Sequence, residues 1–395
     1  MNKNKMFLSD LGIISSLGNG KKEIFENLML QKSPGIGECD LITGSKVKCA
    51  KVILDLPNID DSLFNTRCNR LLLAAYLQIE ENIIKAINKY GKDRIAVVIG
   101  SSTSGIDEAQ NLVAYGLENK IDLSNFDYRV VEMGHPAKFL ATHLKLENVY
   151  YTISTACSSS AKAFASARNI INLGICDAVI VGGSDILCPM VIEGFNSIEA
   201  LSLKGCNPFS ANRNGIMLGE GSSLFLMTKE ESEVELKGAG ESSDAYHITA
   251  PDPEGKGAIL AMKKALENAT MKTTDIDYIN LHGTGTKLND SMESIAVSSL
   301  FSNLPFCSST KPLTGHTLGS AGAIELGICW LLLSELNQSN KLPNHIWDGV
   351  VDPNIPALNF VKNNLLSTEK LSNILSNSFA FGGSNASIII GKHQS

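Results

Sequence analysis

Apolar residues in this chain follow two alternating patterns, short unbroken runs and longer stretches that repeat at helical spacing. Residues 5–14 (KMFLSDLGII), 93–100 (DRIAVVIG), 149–154 (VYYTIS), 177–183 (DAVIVGG), 221–228 (GSSLFLMT), 277–281 and 307–309 read as buried strands. Residues 373–391 read as two strands joined by a glycine turn. Such runs, bounded by Gly, Ser or Asp, suit strands covered on both faces. Helical spacing predicts helices over 21–31, 62–90, 107–119, 136–146, 255–269, 291–301 and 318–336. In 62–90 the face is Leu71, Leu72, Ala75, Ile79, Ile83 and Ile84. A further helix carries Phe164, Ala167 and Ile171 on one face and ends at Gly174, a plausible C-cap. Residues 33–57 show no clear period, 125–146 open as a connection, 229–235 read as a solvated link, and 186–214 as loops around a site.

Strands alternating with helices predict an α/β fold with largely parallel sheets. The pattern also repeats itself. IAVVIGSSTSG then ISTACSSSAKAF in the first half matches YINLHGTGT then SSTKPLTGHTLGSAGAIEL in the second. Each half has a strand ending in a small-residue loop, then a strand feeding a helix through Ser, Thr and Gly. A duplicated unit of this kind brings its two sets of loops to one site.

Composition narrows the function classes. With 395 residues, 44% of them hydrophobic, the chain builds a sizeable core. A net charge of −7, with no basic stripe interleaved with aromatics, argues against nucleic acid. No run approaches a membrane span and the first residues show no signal-peptide pattern, so a cytoplasmic protein is expected. The nine cysteines (Cys39, Cys49, Cys68, Cys157, Cys176, Cys188, Cys206, Cys307 and Cys329) show no CxxC spacing, which favours reduced thiols over disulfides or zinc.

One stretch, TISTACSSSAKAFASARNIINLGICDAVIVGGSD, holds the first candidate for chemistry. Cys157 falls at a strand-to-helix turn, where unpaired N–H groups and the helix dipole favour the thiolate below its ordinary pKa of about 8.5. A small buried core cysteine is the competing reading. His282, in NLHGTGTKLND, and His316, in STKPLTGHTLG, each follow a strand inside a glycine-rich loop that lets backbone approach a ligand. The other five histidines, His135, His143, His247, His345 and His393, lack this setting. A metal reading is weak, because neither His282 nor His316 has a second ligand one helical turn away. Asp290 and Glu293 read as an N-cap and a first-turn acid. Glu325 lies inside an apolar helix and wants a partner, which Lys311 or a histidine loop can supply. Phe379 and Phe381, in NSFAFGGSNA, are core anchors or an apolar gate.

Taken together, TACSSS, SSDAYHITAPDPEG, HGTGTKLND, STKPLTGHTLGSAGA and NSFAFGGSNA closely resemble the β-ketoacyl-acyl carrier protein synthases of the thiolase superfamily, nearly end to end. The resemblance implies a thiolase-like fold, two duplicated halves (1–231 and 232–395) in a five-layered α-β-α-β-α sandwich. It implies that Cys157 takes the acyl chain as a thioester and that His282 and His316 drive malonyl decarboxylation. Lys311 would organise the histidines with Glu325 as its buried acid. The N–H groups of Cys157 and Phe381 would form the oxyanion hole, with Phe379 and Phe381 in the gating loop. Such enzymes need no metal or redox cofactor of their own. Their substrates ride on the phosphopantetheine of an acyl carrier protein, for which Arg67 and Arg70 are candidate docking residues. A dimer is implied, either a homodimer or a heterodimer with a related ketosynthase-like subunit.

Two departures stand out. Ser210, Asn212 and Asn214 in PFSANRNG replace acids the family usually places around an arginine, which puts loop anchoring and carrier contact in question. Ala380 replaces a glycine between the two phenylalanines, which would stiffen the gate. The NPFSANRNG pattern resembles ketosynthases of aryl-polyene pathways. A non-catalytic chain-length-type partner is the alternative, although those lack the active cysteine. A thiolase or hydrolase is the other, although NSFAFGGSNA has no second cysteine to serve as base.

Overall fold

The structure, a computed structural model, describes residues 5–120, 126–364 and 371–393. Residues 1–4, part of the stretch without a signal-peptide pattern, and residue 125, where the predicted connection begins, lie outside the described residues. The duplicated pattern is realised in the sheet. In the first half the strands are, in chain order, Phe7–Ser15, Ile95–Gly100, Tyr150–Ile153, Ala178–Asp185 and Gly221–Thr228. They lie side by side in the order third, second, fourth, fifth, first. The second half, Val234–Ser243, Tyr278–Asn280, Phe306–Ser308, Asn373–Ala380 and Ser384–Lys392, takes the same order. In both, the third, second and fourth strands are parallel, and the fourth, fifth and first antiparallel. The halves meet edge to edge where Phe7 faces Glu235.

Helices complete five layers. Ser159–Asn172 and Ala321–Leu333 occupy matching positions after the third strand of each half and pack between the two halves. All thirteen residues of the latter are buried, which is why its sequence is apolar all round. Arg67–Leu77 and His135–Leu144 cover the outside of the first half, and Lys256–Ala269 covers the second. The two inner helices approach closely at Gly322, where an added Cβ would lie 2.8 Å from the Ala161 nitrogen. Asp185 ties the halves together at the same level. Its buried carboxylate accepts from Ser101, Ser102 and Thr103 of the first half and from the Ser320 N–H of the second.

Several expectations are corrected by packing. The predicted helix 62–90 is two helices, Arg67–Leu77 and Glu80–Tyr90, broken at Ile79. The break rotates the apolar face, so Ile84 is exposed while Leu71, Leu72, Ala75, Ile79 and Ile83 are buried. The end of the solvated link, from Val234, is instead the start of the strand Val234–Ser243. The loop region beyond Asp185 contains a helix, Pro189–Ser197. Residues 318–336 split into a short turn, the helix Ala321–Leu333 and a further turn capped by Ser334. The cysteines are not all reduced. Cys39 and Cys49, on antiparallel strands Ile36–Asp40 and Lys46–Ala50, are joined by a disulfide with Cα atoms 6.2 Å apart. The hairpin register makes them diagonal neighbours, a proximity that spacing in the sequence does not reveal.

Candidate active site

Cys157 sits at the tip of an elbow. The strand Tyr150–Ile153 ends, Ala156 adopts a left-handed backbone (φ 51°), and the helix Ser159–Asn172 begins. The Ser159 hydroxyl clamps the turn, accepting from the Thr155 N–H at 2.8 Å and donating to the Ala156 carbonyl at 2.5 Å. Glycine lets the helix start so close to the sheet, since a Cβ on Gly100 would fall 2.2 Å from the Ser160 nitrogen. Cys157 is 7% exposed.

The second half delivers both histidines to this sulfur. His316 follows the short helix Lys311–Thr314, and its Nε2 lies 3.0 Å from Cys157 Sγ. Its backbone is fixed by pairing with the Met217–Gly219 segment, through His316 N–H to the Met217 carbonyl (2.7 Å) and Gly219 N–H to the His316 carbonyl (3.0 Å). His282 stands edge-on to His316, with ring centroids 5.3 Å apart at 88°. One ligand atom from each of Cys157, His282 and His316 falls within 4.8 Å of the others. That trio has the donors to hold a cation, but among the described residues no carboxylate joins it. The Lys311 ammonium, 3.4 Å from His282 Nδ1, opposes a positive guest.

Behind the histidines lies a buried polar scaffold. Lys311 donates to the His282 carbonyl at 2.5 Å and is paired with Glu325, so the partner left open in the sequence is the lysine. Asp290 and Glu293 are not surface first-turn acids. The helix begins at Lys287, four residues before its predicted start, and buries both. Glu293 accepts the His282 and Gly283 N–H groups at 2.8 Å each, and Asp290 accepts from Phe209 and Thr284. Neither role nor that of Asp185 was legible in the sequence, where the only signal was a carboxylate bordering an apolar run.

Burial sets the protonation of these groups. It pushes the Cys157 thiol up to about 11, with Lys311 and the Phe381 N–H pulling the other way. The expected thiolate stabilisation at the helix start is therefore outweighed by desolvation. Burial, aided by Lys311, holds His282 and His316 well below 6.5, so both imidazoles are neutral near pH 7. Burial raises Glu293 to about 7 against its backbone donors, and Glu325 to about 7 against Lys311. With a lysine ammonium donating to His282 Nδ1, the ring proton of His282 resides on Nε2.

A cavity of about 490 Å³ leads from the surface to Cys157, His282 and His316, walled by Phe379 and Phe381 on one side. The Phe381 N–H and the Cys157 N–H both point at the sulfur. Phe379 is buried against His282, whereas Phe381 is half-buried and stacks on Phe195 of the helix Pro189–Ser197, ring centroids 6.1 Å apart. Ala380 does not strain the loop, because its backbone is extended (φ −103°) and the left-handed positions fall at Gly382 and Gly383.

The remaining expected residues lie elsewhere. Arg67 is tied to Glu220 and to the Val52 carbonyl, and Arg70 to the carbonyls of Leu56 and Pro57. Both guanidinium groups are hydrogen-bonded within the chain. The 208–215 loop is anchored with its polarity reversed. Asp348 accepts from Asn207, Ser210 and Asn212, while Arg213 pairs with Asp352. Asn214 accepts from Ser202 at 2.7 Å.

Comparison with known proteins agrees with this geometry. Residues 11–232 match the beta-ketoacyl synthase N-terminal domain family and residues 234–342 the C-terminal domain family. The chain is 31% identical to a putative mitochondrial 3-oxoacyl-[acyl-carrier-protein] synthase of Schizosaccharomyces pombe, over 98% of this chain and 99% of that one. It is 30% identical to 3-oxoacyl-[acyl-carrier-protein] synthase 2 of Coxiella burnetii, over 99% of each. Among solved structures it is similar to the ketosynthase ApeO in complex with its chain length factor ApeC from Xenorhabdus doucetiae. The TM-score is 0.93 at 44% identity, covering 99% of this chain and 98% of that one. The chain belongs to the β-ketoacyl synthase family.

Proposed function

We propose that this enzyme is a β-ketoacyl-acyl carrier protein synthase that elongates a carrier-bound acyl chain, with Cys157 as nucleophile and His282 and His316 as the decarboxylation pair. The observation that carries the reading is the convergence of one thiol and two neutral imidazoles at the closed end of a single cavity. In the first step the Cys157 sulfur attacks the acyl thioester carbonyl. The oxyanion is met by the Cys157 and Phe381 N–H groups, and the carrier thiol leaves with the proton. In the second, a malonyl thioester loses CO₂, and its electron pair passes to an enolate whose oxygen accepts from His282 Nε2–H beside the neutral His316 imidazole. The enolate carbon attacks the acyl-Cys157 carbonyl, a carbon–carbon bond forms, and the cysteine sulfur leaves as a thiolate that takes a proton from water. Nothing in the sequence of bonds made and broken requires a metal or redox cofactor.

The two halves, divided near residue 231, each contribute one set of loops to this chemistry. Identity of 44% to a ketosynthase found with its chain length factor supports a related subunit as partner. With PFSANRNG, it also supports an aryl-polyene type of pathway. Substrates carried by an acyl carrier protein fit a cytoplasmic site of action. Among the described residues no helix is long and apolar enough to cross a membrane. Intact-mass analysis after incubation with an acyl-carrier protein panel tests the assignment. Wild type is expected to gain the acyl mass and Cys157→Ala to gain none; acylation of the variant would overturn it.

A further inference from the structure

A third buried histidine, outside the cavity, ties together two segments that support His282. His345 lies in the extended stretch after Leu342, and its backbone N–H donates to the Val361 carbonyl at 3.0 Å. Its ring stacks on Phe360, with centroids 4.0 Å apart at 11°, and is flanked by Phe209 and Trp347. Both ring nitrogens are engaged. Nδ1 accepts the Ser309 N–H at 3.2 Å, and Nε2 donates to the Pro208 carbonyl at 3.1 Å. An N–H on one side and a carbonyl on the other admit a single neutral tautomer, protonated on Nε2. Burial, which pushes the imidazole down to about 3, keeps it in that form.

What His345 holds bears on His282. The Ser309 hydroxyl donates to the Gly283 carbonyl at 2.7 Å and accepts from the Lys311 N–H at 3.3 Å. Ser309 is therefore the joint between the His282 loop and the short helix whose Lys311 ammonium reaches His282. Gly283 is left-handed (φ 37°) and tightly enclosed. A Cβ there would fall 2.6 Å from the Ser309 Cβ and 3.0 Å from the Phe209 ring. Those two walls are what His345 grips, Ser309 through Nδ1 and Phe209 through the Pro208 carbonyl before it. We infer that His345 is a positioning residue for the decarboxylation step, fixing His282 and Lys311 relative to each other by clamping Ser309 and Pro208 to one imidazole. The inference rests on the condensing activity proposed above, and it makes the two half-reactions respond differently. His316 is pinned separately by the Met217–Gly219 segment, and Cys157 by its own elbow, so neither depends on His345. Loss of the imidazole leaves the buried Ser309 N–H without its acceptor and frees the His282 loop to shift. A misplaced donor to the enolate slows the loss of CO₂ but not acyl transfer to Cys157.

The test times the two half-reactions separately. Acylation of Cys157 by octanoyl-acyl carrier protein is followed by mass, and CO₂ release from malonyl-acyl carrier protein by a single turnover of the acylated enzyme. Wild type is compared with His345→Phe, His345→Asn, His345→Gln and Trp347→Leu, with thermal unfolding of each. Phenylalanine keeps the stack on Phe360 and drops both hydrogen bonds. Asparagine keeps an acceptor at the level of Nδ1 for Ser309, whereas glutamine carries its amide at the level of Nε2, facing Pro208. His345→Phe is expected to lose about tenfold or more in the CO₂ rate with acylation within about twofold of wild type. His345→Asn is expected to recover most of that loss and His345→Gln little of it. Trp347→Leu loosens the same aromatic packing without touching Ser309, so it is expected to lower the melting temperature and keep the wild-type ratio of the two rates. Rates that fall together in His345→Phe, or that both stay at the wild-type level, overturn the positioning role and leave the catalytic reading intact. If His345→Phe does not fold, the other two variants decide, and equal ratios in His345→Asn and His345→Gln overturn it. Wild type that takes no acyl group, or releases no CO₂ once acylated, overturns the condensing reading and the positioning role with it.

Discussion

Cys157 is a nucleophile kept as a thiol. Its burial, not its place at a helix start, dominates its titration, and His316 Nε2 at 3.0 Å is the group beside it when the proton must leave. Alkylation of Cys157 by iodoacetamide is therefore expected to keep accelerating up to about pH 11, whereas an ordinary thiol is half-maximal at its pKa of about 8.5 and levels off by about pH 10. A plateau near neutrality, read by mass against pH, would mean a stabilised thiolate. Lys311 and Glu325 form a buried pair, so Lys311→Met leaves a carboxylate with no counter-charge. A loss of about 3–5 kcal/mol in unfolding free energy is expected, largely restored by adding Glu325→Leu, with condensation absent in both. Chemical denaturation of the single and double variants checks it. At this scale the sequence revealed residue types and the loops they occupy. It could not reveal that Arg67 turns inward to Glu220, because which way a surface cation points is decided by a partner more than 150 positions away.

Elements were legible where burial is uniform and obscure where it changes along the element. Ile95–Gly100 and Gly221–Thr228 are buried throughout and were bounded within two residues. The first two residues of Val234–Ser243 fall within the charged run 229–235, which reads as a link because the strand's pairing with Ser384–Lys392 comes from the far end of the chain. Helix Lys287–Leu300 begins before its predicted start, because in the sequence Lys287, Asn289 and Asp290 look like a surface turn, whereas Asp290 and Glu293 are buried as acceptors for the His282 loop. The inner helix pair depends on Gly322, whose missing Cβ allows contact with Ala161 and Ser378. Gly322→Val is expected to destabilise the fold by about 1–3 kcal/mol through overpacking, and to misplace His316 and Cys157 together. Thermal unfolding and acylation rate should fall in step, and a stable, fully active variant would contradict the close packing.

The whole molecule is one topology used twice, and the shared strand order explains why Cys157 and the Lys311–His316 segment meet. Both follow the third strand of their half, and the inner helices that follow them pack face to face. The repetition was visible in the sequence as matching strand-and-loop pairs, although the joining contacts of Asp185 were not. Burial of the acid behind the His282 loop also makes stability depend on pH. Glu293 titrates near 7 in the fold against about 4.5 when unfolded, so the native state holds its proton longer. Its contribution is present below pH 4.5 and is lost as pH rises toward 7, by about 3 kcal/mol. Glu293→Gln is expected to flatten that part of the stability–pH curve relative to wild type, as measured by urea unfolding between pH 4.5 and 7.5. An identical slope in the variant would mean that Glu293 ionises normally. The most direct test of the central claim is a single turnover. Enzyme acylated on Cys157 is mixed with malonyl-acyl carrier protein, and product and CO₂ are followed together. A β-ketoacyl carrier two carbons longer, with one CO₂ per turnover and none in His282→Ala or His316→Ala, is predicted; release of free acid without a new carbon–carbon bond would contradict it.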